Sequence, residues 1–331
     1  MPDVSAGQNE SSASPARPRR AGPELLSVVV PVYNEAENVE PLAAAVREAL
    51  ADQAYELVFV DDGSSDATLE RIEGLAAADG RVVGVALSRN FGHQVALSAG
   101  LREARGQAVV TLDGDLQHPP ELIPQLLDKW REGYNVVQTQ RLDVETPGAV
   151  KRWTSRAFYR VFSALCGIRL DPGMADFRLL DRSLVDELCR MREGQLFLRG
   201  LVAWMGYRKA VVPFTPAARH AGKTKYSMRR MLRFAGAGLF SFSAVPLRLG
   251  VLAGLIAALL SFAEIVYVLV VYFRGETIPG WASTMAIQSF LFGVLFVLLG
   301  LQGEYLLRIY RRVQGRPGFL VERLIRRDGD S

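Results

Sequence analysis

Apolar and polar positions alternate with three different rhythms along the chain. From residue 24 to residue 140, short β-branched and aliphatic runs alternate with segments whose apolar positions recur at helical spacing. The runs predict strands near Ser27–Val32, Glu56–Val60, Val82–Leu87, Ala108–Leu112 and Asn135–Gln140. The segments between them predict helices near Val39–Leu50, Ala67–Ala78, Gln94–Ala104 and Pro120–Arg131. Strand, helix, strand in this order implies an α/β fold: a Rossmann-like, mostly parallel sheet with helices on both faces. Ligands of such sheets bind beyond the carboxyl ends of the strands.

The second rhythm is continuous rather than alternating. Leu249 to Phe273 is a run of 25 residues with no Lys or Arg and one acid, Glu264. At about 1.5 Å per residue it exceeds a hydrocarbon core of about 30 Å, and it is long for a buried core helix. Ser283 to Leu307 is a second such run, with Gln288 near one end and Gln302 and Glu304 near the other. The connector Arg274 to Gly280 carries one Arg against one Glu, whereas both outer flanks are rich in Arg. The positive-inside rule therefore places both flanks in the cytoplasm and makes the two runs a transmembrane hairpin. Just before it, Met228, Met231, Leu232, Phe234 and Ala235 interleave with Arg229, Arg230 and Arg233, the pattern of a helix lying among lipid headgroups. Glu264 is expected to face a partner helix or polar cavity, and Gly250-x-x-x-Gly254 to permit close helix approach.

The third rhythm is the absence of one. Residues 1–23 are mostly Ser, Ala, Pro and Arg with few large apolar side chains, so they are expected to be a disordered tail. With no apolar core of a secretory signal near the start, the catalytic part is expected to stay in the cytoplasm. The expected division is this tail, an α/β domain over 24–226, a juxtamembrane helix over 227–245, two membrane helices within 246–307 and a basic cytoplasmic tail over 308–331. Both termini are then cytoplasmic, in a multi-pass protein of the cell membrane.

Composition narrows the chemistry. Cys166 and Cys189 stand in no CxxC or Cys/His spacing, which argues against disulfides and structural zinc and for buried thiols. The net charge is only +4, but Arg and Lys crowd Arg219 to Arg233 and Arg308 to Arg327. Such clusters suit nucleic acid, solvated faces or membrane surfaces, and the apolar runs between them favour the membrane and leave no role for nucleic acid.

Acids gather at the predicted strand ends. The first strand ends in Pro31-Val32-Tyr33-Asn34-Glu35, the second in Asp61-Asp62-Gly63-Ser64-Ser65-Asp66, the fourth in Asp113-Gly114-Asp115-Leu116-Gln117. Either DG step alone would serve as an ordinary turn. Uncompensated neighbouring carboxylates repel, so their accumulation asks for a cation. Asp113 and Asp115 lie two apart, where strand alternation sends both side chains to one side, and Gly114 between them would let a ligand approach the backbone. Hard oxygen ligands in small number suit Mg²⁺ or Mn²⁺ shared with substrate phosphates, with Gln117 as a further oxygen. No GxGxxG turn follows the first strand and no GxxxxGK[ST] loop is present, which disfavours nicotinamide and P-loop chemistry.

At these residues the chain resembles the family 2 glycosyltransferases of GT-A fold, and among them the polyprenyl-phosphate glycosyltransferases. VPVYNE, VDDGSSDAT, LSRNFGHQVALSAGL, LDGDLQHPPELIP, Asp176-Phe177-Arg178 and Arg219-x-x-Gly222-x-Thr224-Lys225 carry the likeness, which runs from about Leu26 to Leu324. The two apolar runs followed by Gly303-Glu304-Tyr305 look like the bactoprenol glucosyltransferases in particular, with the dolichol-phosphate mannose synthases next. The resemblance implies that Pro31, Tyr33, Glu35, Asp61 and Asp62 hold the donor's base and ribose, and that Asp113, Asp115 and Gln117 hold the metal on its diphosphate. It implies phosphate-binding roles for Arg141, Arg219 and Lys225, joined by Arg152 or Arg156.

The reaction so implied is inverting transfer of a hexose from a nucleotide diphosphate sugar, UDP-glucose first and GDP-mannose second, to a polyprenyl phosphate such as undecaprenyl phosphate. The acceptor phosphate is anionic at neutral pH, its second pKa being about 6, so a strong base is unnecessary. Asp176 is the candidate for a positioning or base role, and Asp115 is the other expected catalytic residue. His118 reads as a turn or helix-start residue, and His93 and His220 take no role. A processive polysaccharide synthase would carry QxxRW, but Ala149 stands three residues before Arg152-Trp153 where Gln is needed. A non-catalytic adaptor would have no use for the acidic rim. Sugar, metal and assembly into a homo-oligomer are left open.

Overall fold

The computed structural model describes residues 20–142, 174–191, 198–215, 245–275 and 280–327. Cys166, Arg152, Arg156, Arg219, His220, Lys225 and the amphipathic segment up to residue 244 lie outside them. The chain divides into two compact units. The first holds the sheet and the second the two long helices.

The first half of the sheet unit runs β1 (Leu26–Val32), α1 (Ala36–Ala49), β2 (Tyr55–Asp61), α2 (Thr68–Ala78), β3 (Val82–Leu87), α3 (His93–Glu103) and β4 (Ala108–Thr111). Then come α4 (Ile123–Arg131) after a single 3-10 turn, β5 (Val136–Arg141), β6 (Met174–Asp181), α5 (Arg182–Arg190), α6 (Leu198–Trp204) and β7 (Lys209–Phe214). The five strands expected from the sequence are all present. The strand order is β7-β5-β6-β4-β1-β2-β3-β8, where β8 is Val321–Ile325. β1 runs parallel to β2 and β4, and β2 to β3, so their carboxyl ends share one rim. β6 runs antiparallel between β4 and β5, so its first residues reach the rim where β4 finishes.

Every residue of β1, β2 and β3 is buried, as a sheet covered on both faces requires. α1 buries Val39, Leu42, Ala43 and Val46, and α4 buries Ile123, Leu126, Leu127 and Trp130, each set at i, i+3, i+4, i+7 spacing. These stripes join Val28, Val30 and Phe59 in one apolar core. Each Val, Leu, Ile or Phe side chain among them, fully buried, contributes about 1.5–3 kcal/mol. α3 packs on β1 and β2.

Both ends of the unit differ from the expected tails. The Arg20 guanidinium bonds Asp181 and lies 5.1 Å from the Trp130 ring centroid, while its backbone N–H donates to the Arg131 carbonyl at 2.8 Å. The first described residue of the predicted tail is thus pinned by pairing and stacking, and 1–19 lie outside the described residues. Beyond residue 308 the basic segment first continues a helix and then supplies β8, antiparallel to β3. Its arginines are neutralised there: Arg323 meets Glu73 at 2.8 Å and Arg326 meets Glu103 at 3.5 Å. Cys189 on α5 is half-buried rather than buried.

The second unit contains α7 (Val245–Phe273) and α8 (Trp281–Val313). Within them Leu247–Val271 and Ile287–Val313 are long and apolar enough to cross a membrane, with mean hydropathies of 2.4 and 1.9. Only 6% and 0% of these windows is buried, so neither is the core helix of a soluble domain. A Cβ on Gly250 would meet Leu298 of α8 at 3.2 Å, whereas Gly254 has nothing within 4 Å, so one glycine of the pair serves helix approach. Glu264 lines a cleft of about 480 Å³ between α7 and α8 with Ser261, Thr284 and Gln288.

Candidate active site

The rim is shaped by turns that spend side chains on backbone. After β1, Asn34 takes a left-handed φ of 56°. Its N–H donates to Ser64 Oγ and its Oδ1 accepts from the Ser65 N–H, both at 2.9 Å. This locks the first turn onto the second. Tyr33 stands 47% exposed beside it, available as an aromatic face. Pro31 is buried within β1 opposite Val60, so it shapes the strand end and presents no rim surface.

The Asp61-Asp62-Gly63 turn holds another loop. Asp61 accepts from the Ser64 N–H at 3.2 Å. Asp62 accepts the Phe91 and Gly92 N–H groups at 2.7 and 2.8 Å, one on each oxygen, which fixes the approach to α3. Gly63 has φ +71°, and a Cβ there would fall 2.5 Å from the Arg89 carbonyl carbon. Only glycine fits without displacing backbone.

Asp113 and Asp115 do not obey strand alternation, because β4 ends at Thr111 and both lie in the turn beyond it. Gly114 faces inward: its Cβ would strike Val32 at 2.7 Å, so the glycine serves packing rather than ligand approach. Asp115 Oδ1 accepts the Gln117 N–H at 3.1 Å, a side-chain turn that forces Leu116 to φ 58°. Arg141, at the end of β5, brings Nη1 to 3.5 Å from Gln117 Oε1. Asp113 turns toward histidines instead: His93 Nε2 is 3.4 Å from Oδ1 and His118 Nδ1 3.4 Å from Oδ2. His118 is buried, stacked on Phe177 at 5.4 Å, and its Nδ1 lacks hydrogen-bond geometry to Asp113.

Asp176 enters the same cluster because β6 starts at the rim. Its carboxylate accepts from Arg178 Nη2 at 2.8 Å, from Arg199 Nε and Nη2 at 2.8 and 2.9 Å, and from Gln94 Nε2 at 3.2 Å. His93 Nε2 is 3.7 Å away. Burial works to raise the Asp176 pKa, but His93, Arg199 and Arg178 outweigh it and hold the carboxyl well below the usual range. A carboxylate so committed is a poor proton acceptor, which weighs against the base role expected for Asp176 and leaves the positioning role as the one to test.

The acidic turns behave oppositely. Burial raises the Asp113 pKa, with Asp176 and Asp115 adding to the rise and His118 and His93 restraining it. Burial also raises Asp61, with Asp62 and Asp66 contributing, and raises Glu35, with Asp115 and Asp66 contributing. These carboxylates repel one another. Burial tends to lower His93, yet Asp176 and Asp113 reverse that and raise it.

Comparison with known proteins gives this rim a family. Residues 27–189 match the model described as Glycosyl transferase family 2. An uncharacterized glycosyltransferase of Synechocystis sp. is 42% identical over 302 residues, covering 90% of this chain and 95% of its own. The chain belongs to glycosyl transferase family 2. The bactoprenol glucosyl transferase of Shigella phage SfII is 37% identical to this glycosyltransferase, over 90% of this chain and 97% of the relative. Among solved structures, glucosyl-3-phosphoglycerate synthase from Mycobacterium tuberculosis with phosphoglyceric acid aligns with a TM-score of 0.49 at 22% identity, over 66% of this chain and 80% of that one.

Of the residues predicted for the site, this glycosyltransferase brings Glu35, Asp61, Asp62, Asp113, Asp115, Gln117, Arg141 and Asp176 to one rim. Arg219 and Lys225 lie outside the described residues. Sequence reasoning passed over His93, His118 and Arg199. His118 reads from the sequence as a turn or helix-start residue and His93 is left without a role, while Arg199 has no local signal, since only the fold carries α6 to Asp176. Among the described residues no three His, Cys, Asp or Glu side chains form a metal cage. The donor set of Asp115, Asp113 and Gln117 is hard oxygen in small number, which fits a divalent cation completed by substrate oxygens.

Proposed function

We propose that this glycosyltransferase transfers glucose from UDP-glucose to a polyprenyl phosphate, undecaprenyl phosphate in a bacterial membrane, with inversion, at the cytoplasmic face. The observation that carries the reading is the near full-length match to a bactoprenol glucosyl transferase, which extends past the sheet unit through both apolar helices. These helices span the bilayer as a hairpin in this reading, with the Arg-rich flanks inside. An acceptor dissolved in the membrane needs an enzyme held at its surface.

The chemistry follows from the rim. Tyr33, Glu35 and Asp61 hold the base and ribose, while Asp62 keeps the 88–92 loop in place. Asp115, with Asp113 and Gln117, holds Mg²⁺ or Mn²⁺, which supplies charge neutralisation to the donor diphosphate when bound. Arg141, with Arg219 and Lys225, binds phosphate oxygens. An acceptor phosphate oxygen forms a bond to the anomeric carbon as the bond from that carbon to the diphosphate oxygen breaks, and the electron pair leaves on the nucleoside diphosphate. The attacking oxygen is already anionic, so no residue need remove a proton.

Detergent-purified full chain, radiolabelled undecaprenyl phosphate and a panel of UDP- and GDP-sugars with Mg²⁺ or Mn²⁺ test this. Transfer of glucose from UDP-glucose, with the product identified by mass, is expected. Transfer only from GDP-mannose would replace the donor assignment, and transfer from none by folded protein would remove the proposal.

A further inference from the structure

The two long helices carry a polar site that the reaction at the rim does not use. In the cleft of about 480 Å³ between α7 and α8, Ser261, Glu264, Thr284 and Gln288 stand among aliphatic side chains. From Glu264 to Val271, where the apolar stretch of α7 ends, the helix rises about 10 Å. Gln288 stands equally far inside Trp281, where α8 begins. Thr284 donates its hydroxyl to the Gly280 carbonyl at 3.1 Å. Glu264 is half-buried and Gln288 exposed, and among the described residues neither holds a hydrogen bond or ion pair. An acid at such depth in a hydrocarbon layer is costly, and acids so placed pair with another group or face a polar cavity. The chain has no cation to offer at that level. Arg274 is the one Lys, Arg or His between Leu249 and Leu307, and it lies about 15 Å farther on, in the connector.

We propose that this cleft docks a transmembrane helix of a different protein, one that brings a Lys or Arg to the level of Glu264, with Gln288 as a second hydrogen-bonding partner. The inference rests on the reading of α7 and α8 as a membrane hairpin. Charge complementarity selects the occupant. A second copy of this chain would bring a second Glu264 and no cation at that level, setting acid against acid. The ammonium of a lipid headgroup stays at the surface, about 10 Å away. A basic side chain on a partner helix neutralises the acid inside the apolar layer, where each group alone is costly. Gly254 lies two turns before Ser261 on the same face of α7, and a Cβ there would meet nothing within 4 Å, so a third helix has room to lie along the cleft.

The probe is a synthetic helix of membrane-spanning length, a Leu/Ala host carrying one Lys at the matching depth or Leu there as the control. It is labelled for energy transfer to the full chain reconstituted in phosphatidylcholine vesicles. The native chain is expected to favour the Lys helix over the Leu helix by about tenfold or more. Glu264→Gln erases that preference, Glu264→Asp keeps part of it, and Gln288→Leu weakens it severalfold, while the melting temperature of each variant stays that of the native chain. A Lys preference missing from the native chain, or one that survives Glu264→Gln, overturns the docking site. Energy transfer between two labelled copies of the chain that is lost with Glu264→Gln puts a second copy in the cleft and overturns it as well. Release of the chain from the vesicles by alkaline carbonate removes the hairpin reading and the docking site together, whereas a retained chain without the preference removes the docking site alone.

Discussion

Strand β4 separates two groups of charge that the same fold treats in opposite ways. Toward β1 and β2, burial pushes Glu35 and Asp61 above the ordinary carboxylate range, with repulsion from Asp115 and Asp66 added on the first and from Asp62 and Asp66 on the second. Toward β6, Asp176 is more deeply committed yet held well below it, because Arg178 and Arg199 close on it. The first group is arranged at a cost to the folded protein, as a site awaiting a cation would be. The second is a satisfied network whose removal exposes a buried charge. Carboxylates of one type at one rim thus divide into those left in mutual repulsion and those satisfied by guanidiniums, and the partners decide which is which.

The contrast yields graded expectations. Asp115→Ala removes a proposed metal ligand but little packing, so turnover should fall about a thousandfold or more while the melting temperature scarcely moves. Asp176→Ala should do the reverse in kind: leaving Arg178 buried without its carboxylate costs about 3–5 kcal/mol, read as a large fall in thermal or denaturant midpoint. Gly63→Ala, strained at its positive φ and pressed on the Arg89 backbone, should cost about 1–3 kcal/mol in the same assay. Asp61→Asn should stabilise the protein by about 0.5–2 kcal/mol at neutral pH while weakening UDP binding. The sign follows from the raised pKa: ionised Asp61 opposes folding above its folded pKa, and that opposition fades as pH falls through it.

The smallest effect lies away from the rim. Arg81 first, and Arg47 with it, lowers the Asp79 pKa to about 2. A depressed carboxylate contributes stability above its unfolded pKa of about 4 and loses it as pH falls toward the folded value. Asp79→Asn should therefore flatten the acid limb of a melting-temperature profile between about pH 4 and 2, by well under 1 kcal/mol because the arginines are half exposed. A flat limb in the unaltered protein would remove this assignment.

The legible parts of the molecule were those written in local periodicity. β1 to β5 and their helices follow from short apolar runs and i, i+3, i+4, i+7 stripes, and the two membrane-length helices from unbroken apolarity. The acidic turns were legible as well, since DDG and DGD have few uses when they recur at successive strand ends. What the chain did not announce depends on contacts distant in sequence. β8 pairs with β3 across more than two hundred residues, and its arginines look like a solvated basic tail until Glu73 and Glu103 come to meet them. Gly114 reads as room for a ligand until Val32 is seen to fill the space. Asp176 reads as a free acid until α6 delivers Arg199 to it, a pairing that only the tertiary fold shows.

The stereochemistry of the product decides whether one displacement by an already ionised phosphate suffices. UDP-α-glucose, Mn²⁺ and undecaprenyl phosphate are incubated with the purified full chain and with Asp115→Asn, and the anomeric configuration of the glucosyl lipid is read by NMR. A β-linked product from the native chain, strongly reduced in the variant, is the predicted result. An α-linked product would contradict a single in-line displacement, and undiminished product from Asp115→Asn would contradict the assignment of the acidic side to the donor.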